Sequence, residues 1–408
     1  MKQYRIFALF AGAYFLTQLL RTVNAVVGPV LIEDTGVSAA QLGVLSSAFF
    51  LGFALVQLPV GLGLDRFGPR AVQLALLPLL AAGAWITAAA DTFPALLLGR
   101  VLIGLGGGAC LMSGFKAIAG WFPHQRLALG NGMLMAFGAL GAVSAGAPLE
   151  ALLGIVGWRS VFVAIGCAML LLVLGLAATP MPSRPGGTPR FTELVRGLGA
   201  VSVSPLFLRV CPLYVTTHGV FLAFQSLWMT PWLESVSGVD HAVAARCVSL
   251  SSLTMAFGYL LLGTVADRLA RRGVALTTTA GWGMAAFIVL QCAMAARLPL
   301  GPEAVWAAYG VLGGVGVLAY AIVAQPLPSA LAGRSNALLN VCVFIGAFAF
   351  QSGIGFLLEA FGGASAAPAN YLRAMAALIV VQSLTLAWYV LAPRILGEPR
   401  ALPARQPM

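Results

Sequence analysis

The sequence predicts an all-α membrane protein: twelve transmembrane helices in two pseudo-symmetric six-helix bundles, with both termini in the cytoplasm. Three observations carry this. The 408 residues are 60% hydrophobic and only 9% charged, against about 25% charged in an ordinary soluble domain. A charged segment recurs at half the chain length. The positive charges fall on one side of the predicted membrane.

The apolar residues come in runs of about 20, long enough to cross a hydrocarbon core of about 30 Å. The mean hydropathy is +0.95, and no soluble core hides that much apolar surface. A membrane barrel would need alternating ten-residue segments, which are absent. The first six spans are predicted at about 7–31, 40–63, 71–89, 93–120, 127–153 and 158–178. The second six are predicted at about 208–233, 243–264, 274–296, 303–326, 336–358 and 372–392. The domains are therefore 1–178, a cytoplasmic linker at 179–206 rich in Pro, Gly, Ser and Arg, and 207–408. The first span is too long for a cleaved signal peptide.

The repeat is read directly. Gly61-Leu62-Gly63-Leu64-Asp65-Arg66-Phe67-Gly68-Pro69-Arg70 returns 202 positions later as Gly263-Thr264-Val265-Ala266-Asp267-Arg268-Leu269-Ala270-Arg271-Arg272. The same offset maps Pro29 onto Pro231. Spans four and ten share Gly104, Gly107 and Gly108 against Gly310, Gly313 and Gly314, offset by 206. Spans five and eleven share Asn131/Asn340, Gly146/Gly355 and Glu150/Glu359, offset by 209. Duplicated bundles of this kind are how many transporters are built. Small residues at helical spacing let helices approach closely in lipid.

The net charge of +11 does not point to nucleic acid, because it is polarised. With the N-terminus inside, fifteen Lys and Arg fall on the cytoplasmic side, from Lys2 and Arg5 through Arg184, Arg190 and Arg196 to Arg394, Arg400 and Arg405. Only Arg159, Arg297 and Arg373 fall outside. That is the positive-inside pattern. All six cysteines lie in predicted helices without metal spacing, so neither a disulfide framework nor a metal site is expected. No G-x-x-x-x-G-K-[ST] loop exists, so no nucleotide cofactor is expected.

These residues together resemble the major facilitator superfamily of secondary transporters. Gly61 to Arg70 is similar to that family's signature between helices two and three, with Pro69 in place of the first Arg of the closing pair. Arg100-Val101-Leu102-Ile103-Gly104-Leu105-Gly106 resembles its helix-four signature, and Trp158-Arg159-Ser160-Val161-Phe162 its helix-six opening. The resemblance implies a cytoplasmic gate built on Asp65, Arg66 and Arg70, echoed by Asp267, Arg268 and Arg272. Asp65 is expected to accept helix N-terminal donors and pair with an Arg. The resemblance also links Arg100 to coupling. The alternative is an outer-end Arg paired with Glu150 or with carbonyls.

Arg21 is the most informative single residue. A guanidinium in mid-span is costly and normally faces a cavity or a partner, and no Asp or Glu lies near the middle of any span. The substrate is thus expected to supply the negative charge, in the fork geometry that suits carboxylate or phosphate. The alternatives are helix carbonyls or snorkelling. Tyr14, Arg21 and Pro29 resemble span one of the organophosphate:phosphate antiporters and the anion:cation symporters. The former branch implies a second Arg in span seven. Here 202 positions on stands Ala223, with Gln225 nearby, which favours a monovalent organic anion over a phosphate ester.

Lys116 is a second cationic contact, a member of the cytoplasmic gate, or a snorkelling lysine. His218 titrates near neutral pH in the ordinary case and is either a proton-coupling group or a structural histidine. Glu150 and Glu359 are expected to latch the outer end by pairing with Arg159, Arg246 or Arg373. Asn24, Gln225, Trp228, Tyr320, Asn340 and Gln351 are candidate cavity-lining residues. The functional expectation is a monomeric inner-membrane transporter of a small organic anion working by alternating access, with a proton or counter-anion as possible co-substrate and the lipid bilayer as its surroundings. Competing readings are a proton-coupled exporter of hydrophobic or cationic compounds, which would want a cavity acid, and a polytopic membrane enzyme or transporter-like sensor.

Overall fold

The computed structural model describes residues 2–123, 126–179, 191–362 and 367–397. The linker and tail arginines Arg184, Arg190, Arg400 and Arg405 lie outside them. In chain order the helices are α1 (Lys2–Thr22), α2 (Asn24–Thr35), α3 (Ala39–Ala89), α4 (Phe93–Gly107), α5 (Cys110–Trp121), α6 (Leu127–Ser144), α7 (Ala147–Ala177) and α8 (Phe191–Ser202). The second half continues with α9 (Pro205–Ala223), α10 (Met229–Trp232), α11 (His241–Arg271), α12 (Leu276–Ala295), α13 (Pro302–Gly313), α14 (Val317–Ala324), α15 (Ser329–Ala360) and α16 (Pro368–Leu396). Among the described residues nine helices are long and apolar enough to cross a membrane, or ten if the bent pair α1–α2 counts as one.

The 51 residues of α3 would run about 77 Å if straight, more than twice a bilayer core. The helix breaks at Gly68, where φ is 80° and ψ is 170°. The predicted loop is therefore a hinge, with Phe67 ending one helical segment and Pro69 opening the next. Pro suits a first helical position because the missing N–H has no partner there anyway. In the second half the matching position is Ala270, which cannot take that conformation cheaply. There α11 runs on to Arg271, and the chain turns at Gly273 with φ 82°.

The linker holds more structure than its composition suggests. Residues 191–202 form α8, which packs on α15 and α9. The helix starts that follow the first helices of each half are capped alike. Ser38 accepts from the Gln41 backbone N–H and Asp240 from that of Val243, at 3.2 and 2.7 Å.

Glycines set the helix distances. A Cβ at Gly104 would overlap the Phe49 carbonyl, and one at Gly310 the Ser251 carbonyl. The two halves meet along α3 with α15 and along α6 and α7 with α11. At those seams Gly355 lies against the backbone of Ala39, and Gly146 against that of Ala245.

Candidate functional site

The first helix of each half is irregular at the same place. The α1–α2 pair bends by 51° at Val23. Its counterpart 202 residues on is Gln225, inside a π-helical turn, Phe224–Trp228. A second π-turn, Leu233–Ser237, follows α10. Wide turns and broken helices present side chains and backbone that a regular helix would not.

These two breaks face each other between the halves. Arg21, two residues before the bend, donates from Nη2 to Oε1 of Gln225 at 3.2 Å. Its Nε is buried with no hydrogen-bond partner. None of the ion pairs among the described residues involves Arg21. Tyr14 of α1, Tyr259 of α11 and His218 of α9 all lie close enough to sense its charge. Gln225 in turn donates to Ser252 Oγ at 3.4 Å. The centre of the molecule is thus a cation held by one neutral amide, with two phenols and an imidazole close by.

The other predicted lining residues are paired off around it. Asn24 donates to Ser46 Oγ at 2.6 Å, tying α2 to α3. Trp228 Nε1 donates to the Gln351 carbonyl at 2.9 Å, and Ser226 to Gln351 Oε1 at 3.0 Å. Gln351 keeps a buried, unpartnered Nε2. Tyr320 donates to Asn340 Oδ1 at 2.7 Å. His218 stacks between Tyr214 and Phe221, its Nδ1 3.2 Å from the Gly313 carbonyl. That places it in the C-terminal half's packing, with a backbone partner, and within reach of the Arg21 charge.

Lys116 does not join Arg21. Its Nζ donates to Asp65 Oδ1 at 2.6 Å, so it sits with the residues expected to form the gate. This corrects the expected partner of Asp65, which is a lysine of α5 rather than a helix N-terminus or an Arg. Lysine reaches it because α5 passes the end of the first segment of α3. Arg70 donates instead to the carbonyls of Leu176 and Ala177, at 3.1 and 2.7 Å, closing the last turn of α7. Arg100 is fully buried and donates to the Leu20 carbonyl at 3.1 Å, the carbonyl alternative rather than Glu150.

The latch expected of Glu150 and Glu359 takes another form. Arg159 is held by Asp34 and Asp91 and stacks on Trp158. It is therefore committed within its own half. Glu359 instead caps α3 across the seam, accepting from Ser38 Oγ at 3.1 Å and the Ala40 N–H at 3.3 Å. A carboxylate at a helix N-terminus needs no arginine, because unpaired backbone donors face it. Nearby, Ser47 and Ser352 share a hydrogen bond of 2.7 Å, and the Ala147 N–H donates to Ser249 Oγ at 2.9 Å. All of these join one half to the other at the end that carries Ser38. At the opposite end, Lys116–Asp65 and the Arg70 bonds stay within one half.

Sequence reasoning did not single out Tyr259, Ser47–Ser352 or the pair Glu234–His241. The last was legible in principle, since both stand at positions where the first half has Ile32 and Ala39.

A fold of paired helical bundles around a cationic centre, opened by a Gly-x-x-x-Asp-Arg hinge, is that of a secondary transporter. The sequence profile of the Major Facilitator Superfamily matches residues 10–351, and the chain belongs to that family. It is a multi-pass membrane protein of the transporter class. It is 25% identical over 288 residues to a probable sulfoacetate transporter of Cupriavidus necator, a match spanning 66% of each chain. It is 25% identical over 277 residues to a probable L-galactonate transporter of Escherichia coli, spanning 64% of this chain and 61% of that one. The chain thus matches somewhat under two thirds of these relatives' length. Its fold is similar to that of a bacterial homolog of the human lysosomal transporter Spinster in an inward-facing, occupied conformation, with a TM-score of 0.77 and 22% identity over 98% of each chain.

Proposed function

We propose that this chain is an alternating-access transporter of a small organic anion, bound at Arg21 between the halves. Twelve spans follow if the bent α1–α2 pair is one, α3 is two across Gly68, α4–α5 is one, and α6 with the start of α7 is separated from the rest of α7 at Gly157. The second half then has α9–α10 with its π-turns, α11, α12, α13–α14, α15 and α16. The charge asymmetry supports both termini in the cytoplasm of an inner-membrane protein, and the chain acts as a monomer in this reading. In that orientation the hydrogen-bonded end faces outward, and the conformation is closed to the outside.

The observation that carries the reading is Arg21 with Gln225 for its only polar side-chain partner among the described residues. A guanidinium with an orphaned Nε lacks a counter-charge, and an incoming carboxylate or sulfonate supplies one. Gln225 adds an amide donor without a second charge, which favours a singly charged anion. The names of the two relatives support the anion class. Thermal-shift measurements on the purified protein with L-galactonate, sulfoacetate and choline test this. Stabilisation by L-galactonate, weaker stabilisation by sulfoacetate and none by choline are expected. Arg21→Ala should abolish the anion effect. Stabilisation by choline alone, or an Arg21→Ala protein that responds like the parent, refutes the reading.

A further inference from the structure

The two seams that close the outward end are related by the repeat, yet they are built differently. In the α3–α15 seam, Glu359 caps Ser38 and Ala40, and the residue beside them is Ala39. The equivalent of Ala39 in the other seam is His241, and the equivalent of Ile32 is Glu234. His241 opens α11, and Glu234 sits on the π-turn Leu233–Ser237. His241 Nδ1 lies 2.6 Å from Glu234 Oε1, with both side chains about a third exposed.

The other face of the ring is the informative one. His241 Nε2 is buried and has no hydrogen-bond partner among the described residues. α11 packs on α2 and α7 of the opposite half, and Val26 of α2 is the backbone group that acts on the ring. A neutral imidazole has one N–H and one lone pair. It can donate to Glu234 and turn a lone pair toward Val26, or donate to Val26 and turn a lone pair toward a carboxylate. Only the imidazolium, with two N–H groups, serves both sides. Glu150 of α7 adds negative charge at the same place. The other charged groups on the surrounding elements are committed or more distant. Asp34 of α2 is held by Arg159, Glu33 and Glu303 are exposed, and Asp240 caps α11. Tyr371 of α16 lies near Glu234, and Arg246 lies further along α11.

We propose that Glu234 and His241 form a proton-binding site at the outward end, and that a proton taken there from the outer solution holds the α7–α11 seam shut against α2. The site rests on the alternating-access reading above. The proton adds to the free ring nitrogen and Glu234 remains a carboxylate, so no other group changes its bonding. When the seam parts, the ring leaves the Val26 backbone and Glu150, and the site holds its proton less tightly. The closed form thus binds more protons, and falling outer pH favours it by up to tenfold per pH unit for one proton.

Double electron–electron resonance on the full chain tests this without a substrate. Native cysteines are replaced by alanine. One label pair is Thr92→Cys with Ala304→Cys at the outward end, and a second is Ala119→Cys with Gln325→Cys at the other. In the parent, the outward-closed fraction should rise as pH falls from 9 to 5, while the other end opens. His241→Gln and His241→Ala, the latter copying Ala39, should leave the populations independent of pH, and Glu234→Gln should flatten the response. Melting temperatures identify any variant that fails to fold, and the parent titration stands without them. Two populations whose ratio ignores pH in the parent would overturn the proton site and leave the transporter reading intact. The same holds if His241→Ala keeps the parent's pH response. A single unchanging distance at both ends would overturn both.

Discussion

The two halves of this protein repeat each other closely where helices pack and depart from each other at the proposed site. Gly104 and Gly310 each bring a helix against a neighbouring carbonyl, and Gly146 and Gly355 do the same across the two seams. In the middle of the first helix of each half the likeness stops. One half has a sharp bend and an arginine, the other a π-turn and a glutamine. Packing constrains both copies alike, because both must hold their helices at the same distances. A central site between the copies has no such obligation, so it is free to become asymmetric.

The largest effect expected from erasing this difference is at Gln225. Gln225→Arg sets two guanidiniums across the centre. Affinity for succinate should then rise by tenfold or more over the parent, about 1.4 kcal/mol or more, while affinity for its monoamide, succinamate, should fall or stay level. Calorimetric titration with both compounds reads the switch. An unchanged preference would mean that the charge of the cargo is set elsewhere.

Where the halves agree, matched substitutions should cost the same. Gly104→Ala and Gly310→Ala each drive a methyl into backbone that cannot yield as a side chain can, and overpacking of this kind costs about 1–3 kcal/mol. Gly61→Ala and Gly263→Ala meet open space and should be silent. Melting temperatures in detergent check all four. A large cost at Gly104 with none at Gly310 would break the packing equivalence of the halves.

Much of this frame was legible in the sequence, because span length, packing glycines and charge asymmetry leave one-dimensional traces. Arg21 was legible for the same reason, since a lone cation in an apolar run stands out. Partners were harder. Lys116 reads equally well as a cavity cation or a gate residue until α5 is seen passing Asp65. Arg159 looked available to Glu150 until Asp34 and Asp91 claimed it. The Glu234–His241 pair lies seven residues apart across a turn, and its meaning depends on Val26 of the other half, which no spacing reveals. The hinge at Gly68 sat inside a recognised motif, yet its conformation became clear only against Ala270, where the same motif without the glycine stays helical.

The smallest expected effect lies at the repeated aspartates themselves. Asp65 is paired with Lys116. Carried across by the offset that relates Gly104 to Gly310, Lys116 corresponds to Ile322. Among the described residues Asp267 accordingly makes no ion pair. The sequence repeat is symmetrical here, but the interaction is not. The Lys116–Asp65 pair is more than a third exposed on both sides, so its worth is at most about 1 kcal/mol. That is enough to bias two conformations by up to about fivefold. Asp65→Asn should therefore slow uptake into proteoliposomes by a few-fold, with the effect shrinking as salt screens the parent's ion pair. Asp267→Asn should leave the rate within error. Introducing Ile322→Lys should give Asp267 the partner it lacks, and Asp267→Asn in that background should then slow uptake as Asp65→Asn does in the parent. Equal effects of the two Asn variants in the parent would mean that the aspartates act through the hinge backbone, and that the lysine is incidental.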